Sequence, residues 1–432
     1  MRPNALSRAR AMTASRTDYV PGSKPSLRLM SQPAIPNSTS WDVPKVIRAI
    51  EAHETGDFYR SSLLVQHFGR DDKITGATED RLNALTGPGA SAFAFQASDV
   101  AKELHQGDDP LIPEINSWWW DAVPDSWIRA TLHDSIHLGY SLSYVEWATS
   151  ARQWYPRRLH HWHPSAVRYD EHRQTWIARV ETGRELEIHP GDPNWFLHTP
   201  RGARSWMSGA VRSLGTLFLA RNWDFRDWAR YNQRHGQPII TIEEPTGEGE
   251  AGAKDAFFQG IKAMGSSGVL RLPQGEAGNG YKVDLLEAKA RSYDSFKLFM
   301  DTVNVAISIR LTGQNLTSEV QGGSYAAAGW HMRVRNDVVT GDASALVDSL
   351  RAQLLVPWGY YNVPRFEREM APWPSWTLEM PEDAQALATT ANQAVTGLKT
   401  LLELRDHEGN PLPIDVNAYL AKYNIPLLGK DQ

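Results

Sequence analysis

The sequence predicts an α+β protein of several lobes, mainly helical with small β-lobes. Three observations predict it. Long amphipathic helical patterns recur at Ser208–His235, Ser292–Leu311 and Ser324–Val356. Short aromatic runs separated by turn residues fill positions 152–207. A compact β-α-β-β pattern with Gly-rich turns lies between the first two long helices. At 432 residues the chain has room for about three domains or one elaborated, multi-lobed body.

In chain order, residues 1–40 read as a flexible basic arm. Arg2, Arg8, Arg10, Arg16, Lys24 and Arg28 stand against Asp18 alone, and no apolar h-region suggests a secretory signal. Val43–His53, Phe58–Phe68 and a segment ending near Leu85 read as helices, each with an apolar face. Ser91–Glu103 mixes Phe and Ala around a further helix, and Trp118, Trp119 and Trp120 precede another over Asp125–Leu138, ended by Gly139. Tyr140–Trp147 is strand-like, as are Val167–Tyr169, Trp176–Val180 and Trp195–His198.

Ser208–His235 carries Leu214, Phe218, Phe225 and Trp228 at helical steps, and Gly236 and Pro238 close it. Strands are expected at Ile239–Ile242, Gly268–Leu272 and Lys282–Leu286, with a helix at Ala253–Met264. In the second long helix Phe296, Met300, Val303 and Ile307 form an apolar stripe. Asp294, Lys297, Asp301, Asn304 and Ser308 form an opposing polar one. The third long helix would be about 50 Å long and end at Pro357. Strand-like sequence at 358–380 and helices at Glu382–Arg405 and Ile414–Lys422 complete the chain.

Composition excludes several classes. With no Cys there is no disulfide, thiolate nucleophile or Cys-ligated zinc. The net charge of −5 lacks the basic excess of proteins that grip nucleic acid. Mean hydropathy is −0.46, and no apolar run is long enough to span a bilayer, so no membrane partner is expected. The 17 Trp are many for this length; most sit in apolar patterns that favour core or interface packing over sugar or base stacking.

The constellations that could carry chemistry are weak. His160, His161 and His163 cluster in LHHWHP, where His161 and His163 could share a strand face. A metal would need a third ligand, and no HExxH or similar grouping supplies one. The glycines at 247–252, 275–280 and 322–323 match no phosphate-binding loop. No residue stands out as catalytic, and no cofactor or metal is expected. A metal-dependent nucleic-acid-processing enzyme using His161 and His163 is the competing reading.

Six segments in order resemble one family. They are AHETGDFYRSSLLVQHFGRDDKITGATEDRL (52–82), LGYSLSYVEW (138–147), LHHWHPSAVRYD (159–170), FRDWARYNQRHGQPIITI (225–242), LTGQNLTSEVQGGSYA (311–326) and LPIDVNAYLAKYNIP (412–426). The family is the portal proteins of tailed bacteriophages, in the branch typified by phage Mu. The resemblance implies a wing (41–207 and 324–380) and two stem helices (208–235 and 290–311). It further implies a clip (236–289), a tunnel loop (312–323) and a crown (381–432). Leu214, Phe218, Phe225, Phe296, Met300, Val303 and Ile307 would then pack the stem.

The same resemblance implies a homo-oligomeric ring, typically a dodecamer, at the capsid vertex of a virion assembled in the host cytoplasm. Double-stranded DNA would be packaged, retained and ejected through it. Terminase large subunit, major capsid protein or scaffold, and head-tail adaptor or tail proteins would be partners. The tunnel loop would offer Gln314, Asn315, Leu316, Thr317, Ser318, Val320 and Gln321, with Glu319 its only charge. Neutral polar groups exchange hydrogen bonds with water and phosphate without the affinity that cations add.

Overall fold

The computed structural model describes residues 25–36, 40–87, 92–105, 109–150, 153–235, 239–243, 282–286, 292–314, 325–377 and 384–405. Residues 28 and 190 are excepted, and a few isolated positions are described beyond these ranges. By internal packing the chain divides into two units, residues 1–89 with 93–376, and residues 90–92 with 377–432.

The first unit begins with three helices: α1 (Val43–Glu54), α2 (Tyr59–Phe68) and α3 (Asp72–Thr86). Asp42 caps α1 through Lys45 N (2.9 Å), and Asp71 caps α3 through Lys73 N and Ile74 N (both 3.0 Å), satisfying donors a helix start leaves open. Next come β1 (Ala92–Gln96), α4 (Asp99–His105), α5 (Leu111–Ala122) and α6 (Asp125–Leu138). The AFAFQ segment expected in a helix is a strand. Alternating Phe93 and Phe95 suit a pleat, and β1 pairs with β10 (Trp373–Thr377). Trp118, Trp119 and Trp120 precede α6 as expected, but they are themselves helical, ending α5, where Trp118 and Trp119 are buried and Trp120 stays 52% exposed.

Two three-stranded antiparallel sheets form the β-lobe. One has the order β3 (Gln153–Trp162), β2 (Ser141–Ser150), β7 (Trp195–His198); the other runs β4 (Val167–Asp170), β5 (Thr175–Arg179), β6 (Glu185–Ile188). Among the described residues nine Trp are buried, from Trp118 to Trp358. Around Trp206 the rings touch directly, with Tyr169 at 4.5 Å and Trp176 at 5.5 Å, while Phe58 lies 4.4 Å from Tyr140. This aromatic core joins α2, the β-lobe and the turn before α7.

Part of the expected arm is held in place. Ser26 and Asn194 exchange two hydrogen bonds (2.8 and 3.0 Å), Glu181 N donates to Ser31 O (2.9 Å), and His163 N donates to Gln32 Oε1 (2.6 Å). Residues 25–36 therefore lie along the β-lobe; earlier residues fall outside the described ones.

Two long helices follow, α7 (Val211–His235) and α8 (Ser292–Thr312). They run antiparallel, with Arg221 bonded to Asn304 at one level and Arg310 bonded to Ser208 O at another. Between them in the chain lies the antiparallel pair β8 (Ile239–Glu243) and β9 (Lys282–Leu286). The helix expected at Ala253–Met264 and the strand at Gly268–Leu272 lie outside the described residues.

The longest helix is α9 (Tyr325–Leu350). Pro357 does not end the helical path. A π turn over Arg351–Leu355 leads into α10 (Val356–Asn362), with Pro357 in its first turn, where a missing N–H leaves nothing unpaired. Gln353, on that π turn, gives its side-chain amide to an edge strand. Its Oε1 accepts from Leu197 N and its Nε2 donates to Leu197 O, both at 2.8 Å. It thus stands where a fourth strand would pair with β7.

In the second unit α11 (Ala384–Glu403) is amphipathic, with Ala394 and Leu398 buried. The expected helix at Ile414–Lys422 falls almost wholly outside the described residues. Among the described residues no helix is long and apolar enough to cross a membrane.

Candidate functional site

The candidate site lies where α8 gives way to the polar segment beyond it. Thr312 closes α8, its hydroxyl bonding Ser308 O (2.9 Å) and Gln314 O (3.2 Å). Gly313 then turns the chain at φ +76°, and a side chain there would press on the methyls of Val334 and Val338 at 3.2 Å. Glycine suits both demands. Gln314 is not the surface group expected of a tunnel loop; it is 6% exposed and packs under the turn. Asn315, Leu316, Thr317, Ser318, Glu319, Val320 and Gln321 lie outside the described residues.

The residues expected to pack a stem divide. Leu214, Phe218, Val303 and Ile307 are buried, and Phe218 meets Phe68 of α2 at 5.5 Å. Phe296 and Met300 are half-buried. Phe225 does not pack the stem within the chain; it is 59% exposed, its ring against Trp228 at 5.9 Å. That half of α7 extends beyond the helices that cover Leu214 and Phe218.

The polar stripe of α8 faces outward only in part: Lys297 and Asp301 are exposed as expected, while Asn304 and Ser308 turn inward. Ser308 is buried, and Asn304 accepts from Arg221 Nε at 3.0 Å. Arg221 in turn pairs with Asp71 (2.8 Å) and Asp72 (2.6 Å), fastening α7 to the start of α3. Facing outward as well are Leu298, Val305 and Ile309, at 69, 38 and 52% exposure. Their spacing of seven and four residues is readable as a second apolar face. A helix apolar on two faces has two things to bury against, and one chain supplies only one.

The histidines are each engaged separately. His160 Nε2 contacts Glu146 at 2.7 Å, His161 Nε2 contacts Asp134 at 2.8 Å, and His163 contacts Ser165 and Gln66 at 2.7 and 2.9 Å. Among the described residues no group of three His, Cys, Asp or Glu is placed to hold a metal. The metal-enzyme reading is not supported.

Burial, the largest single influence on each, lowers His161 and raises Asp134, yet the partner's charge and hydrogen bond, joined on Asp134 by those of His133, together outweigh it. The imidazole is held above its ordinary value and the carboxyl well below its own. By contrast His53 and His198 are buried with no carboxylate bonded to the ring, and burial pushes both down to about 4. His53 Nε2 donates to Trp206 O at 2.9 Å, inside the aromatic core.

Those values set a pH dependence. The unfolded chain takes up protons near pH 6.5 that His53 and His198 refuse until about pH 4, so their effect is to weaken the fold as pH falls through that window. The His161–Asp134 pair acts oppositely. Asp134 contributes above its unfolded value and His161 contributes below its own, so the pair supports the fold between about pH 4 and 6.5. His53 and His198, joined by His137, which burial holds well below its ordinary value, outweigh the one pair. Denaturant unfolding should therefore show lower stability at pH 5 than at pH 7.5, and Asp134→Asn should steepen the fall. A rise in stability on acidification would overturn this assignment.

The comparisons with known proteins fit this geometry. Two structures share the architecture, each covering 89% of this chain and 99% of the other at 11% identity. They are a chain from the virion of a native gene transfer agent particle (TM-score 0.53) and one from the neck of the same kind of particle, computed with C12 symmetry (TM-score 0.52). The mixed helical and stranded architecture is thus one that this chain shares with chains of those particles.

Residues 62–408 match the family described as the portal protein of Mu bacteriophage, and the chain belongs to that family. The portal protein of Escherichia phage Mu is 26% identical over 267 residues, 60% of this chain and 49% of that protein. The Mu-like prophage FluMu protein gp29 of Haemophilus influenzae is 23% identical over 368 residues, 81% of this chain and 66% of that protein. The matches thus span about half and about two thirds of those relatives' lengths.

Proposed function

We propose that this chain is the subunit of a ring, a dodecamer by family habit, at one vertex of a phage-type capsid. Double-stranded DNA passes through its channel during packaging, is retained there, and leaves by it. Family membership across residues 62–408 carries the reading, because that span includes both stem helices and the segment between α8 and α9. In this reading 208–235 and 290–311 are the stem, 236–289 the clip, 312–323 the tunnel loop, and 381–432 the crown.

The physical features agree. The outward stripe of Leu298, Val305 and Ile309, with Phe225 and Trp223 on α7, is the surface a head-to-tail ring buries, since each subunit must offer two different faces. Residues 315–321 carry one charge, Glu319, so the loop adds no phosphate-neutralising cation to the channel. Conduction is then passive, and the ATP-driven work belongs to a terminase docked on the clip, later replaced by a head-tail adaptor. The metal-dependent alternative has no observation in its favour.

Mass measurement and negative-stain microscopy of the purified protein test the ring. Deleting Asn315–Gln321 while sparing the packed Gln314 should leave rings intact and reduce DNA packaging or retention by at least tenfold, on the order of 1.4 kcal/mol. Undisturbed packaging by such rings would remove the channel role from this loop.

A further inference from the structure

At the top of the stem, between the end of α8, the start of α7 and the middle of α9, lies a half-open cavity of about 1030 Å³. Arg81, Arg201, Arg212 and Arg310 line it, with Asp342 the only acid among its lining residues. Asp342 is fully committed, holding Arg81 by two bonds of 2.5 and 2.6 Å, while Arg81 also donates to Leu311 O at 3.0 Å. Glu54, from α1, holds Arg212 at 2.7 Å. Among the described residues no carboxylate answers Arg201 or Arg310. Arg310 donates only to the backbone oxygen of Ser208, at 2.5 Å. Partial burial, then the charges of Arg81, Arg201 and Arg212, pull Arg310 below the ordinary arginine value. Arg201 and Arg310 are exposed, so in an isolated subunit water screens the excess of four guanidiniums over two acids, and a partner that covers the site has to replace that screening.

The surroundings say what kind of group completes it. Ile309, beside Arg310, is 52% exposed and continues into Val305 and Leu298; Val334, one turn of α9 before Val338 at the cavity wall, is 38% exposed. A nucleic-acid surface is polar and cationic throughout, whereas an apolar band beside a charged centre is the anatomy of a protein–protein contact. Acids outnumber bases in the chain, 50 to 45, so another copy carries spare carboxylates. A phosphate-gripping pocket repeated around a ring would also hold DNA where it must slide.

We propose that the Arg201–Arg310 pocket is a subunit-closure site, completed by a carboxylate from a second copy of this chain whose apolar side chains cover Ile309 and Val305. The inference rests on the ring reading. Its signature is a pair of opposite effects: Arg310 repels its neighbours in the monomer and holds the next subunit in the ring.

The test uses the full chain, with native mass spectrometry for assembly and thermal unfolding for the monomer. Arg310→Gln should leave the monomer melting at the same temperature or higher, yet weaken ring formation by about tenfold. The double variant R201E/R310E should fold and remain monomeric. Raising salt from 0.1 to 0.5 M should weaken wild-type assembly more than that of R310Q. Wild-type rings matched at every salt by R201E/R310E rings would overturn the pocket assignment alone. A wild-type chain that never forms rings would overturn both this inference and the ring reading. A 20-base-pair duplex supplies the third arm. If R201E/R310E loses duplex binding while assembling normally, the pocket takes phosphate and the proposal is wrong.

Discussion

Replacing Gly139 with alanine should destabilise the subunit by about 3 kcal/mol or more and send most of the expressed protein into the insoluble fraction. Two independent costs meet at this residue. Gly139 ends α6 at φ +81°, the left-handed conformation that a side chain disfavours by roughly 1 kcal/mol or more. A Cβ there would also lie 2.4 Å from Ser205 O, 2.8 Å from Trp206 Cα and 3.0 Å from Gly209 N. Those atoms are backbone, and Trp206 beside them is wholly buried in the aromatic core, so nothing can swing aside.

Gly183 separates the two costs. It has φ +76°, and a methyl group added there would meet nothing within 4 Å, so Gly183→Ala should cost only the conformational part, about 1 kcal/mol. Denaturant unfolding of the two variants checks this directly. Equal losses would mean that the close approach of α6 to the turn before α7 carries no energy.

Ile307→Asp should cost about 4 kcal/mol, because Ile307 has no exposure and no cation stands ready to meet the new charge. Phe225→Asp, a chemically similar change on the neighbouring stem helix, should leave monomer stability within about 0.5 kcal/mol, since that ring already meets solvent. The two should part again in assembly. The Phe225 variant should fold normally and form fewer rings, whereas the Ile307 variant should fail before assembly begins. Thermal unfolding together with a mass distribution gives both readings from one preparation. Normal folding of Ile307→Asp would remove that residue from the stem core.

Much of this architecture is legible in the sequence because helices and antiparallel strands announce themselves by period. The limits of α6 at Asp125 and Leu138, the positions of β7 and α7, and the antiparallel pair β8–β9 all follow from apolar spacing and Gly or Pro punctuation. Period misleads where one pattern serves two masters. The AFAFQ segment is short enough to read either way, and only its pairing with β10, far along the chain, makes it a strand. Pro357 signals a stop, but a π turn shifts the register so that it falls in a first turn.

The site is harder to read for a related reason. Period locates Ile307 and Ile309 equally well on apolar faces of α8, but only three-dimensional packing shows that one is covered and the other bare. The same logic places Phe225 in the stem, although the helices that would cover it end higher up. The arginines of the closure pocket come from positions 81, 201, 212 and 310, so no local window of sequence contains them together.

Gln353 ties the length of the chain to the integrity of a sheet. Its amide reaches β7 because the π turn holds one residue more than an α-helical turn would, swinging side chains beyond it by roughly 100°. A side-chain change at an exposed position of α9 leaves that phase untouched. Loss of a single residue between Arg351 and Leu355 does not: Gln353 rotates off the strand, and Leu197 loses both partners at once. This junction of α9, α10 and β7 therefore has a counting constraint. It is permissive about which residues it contains and strict about how many.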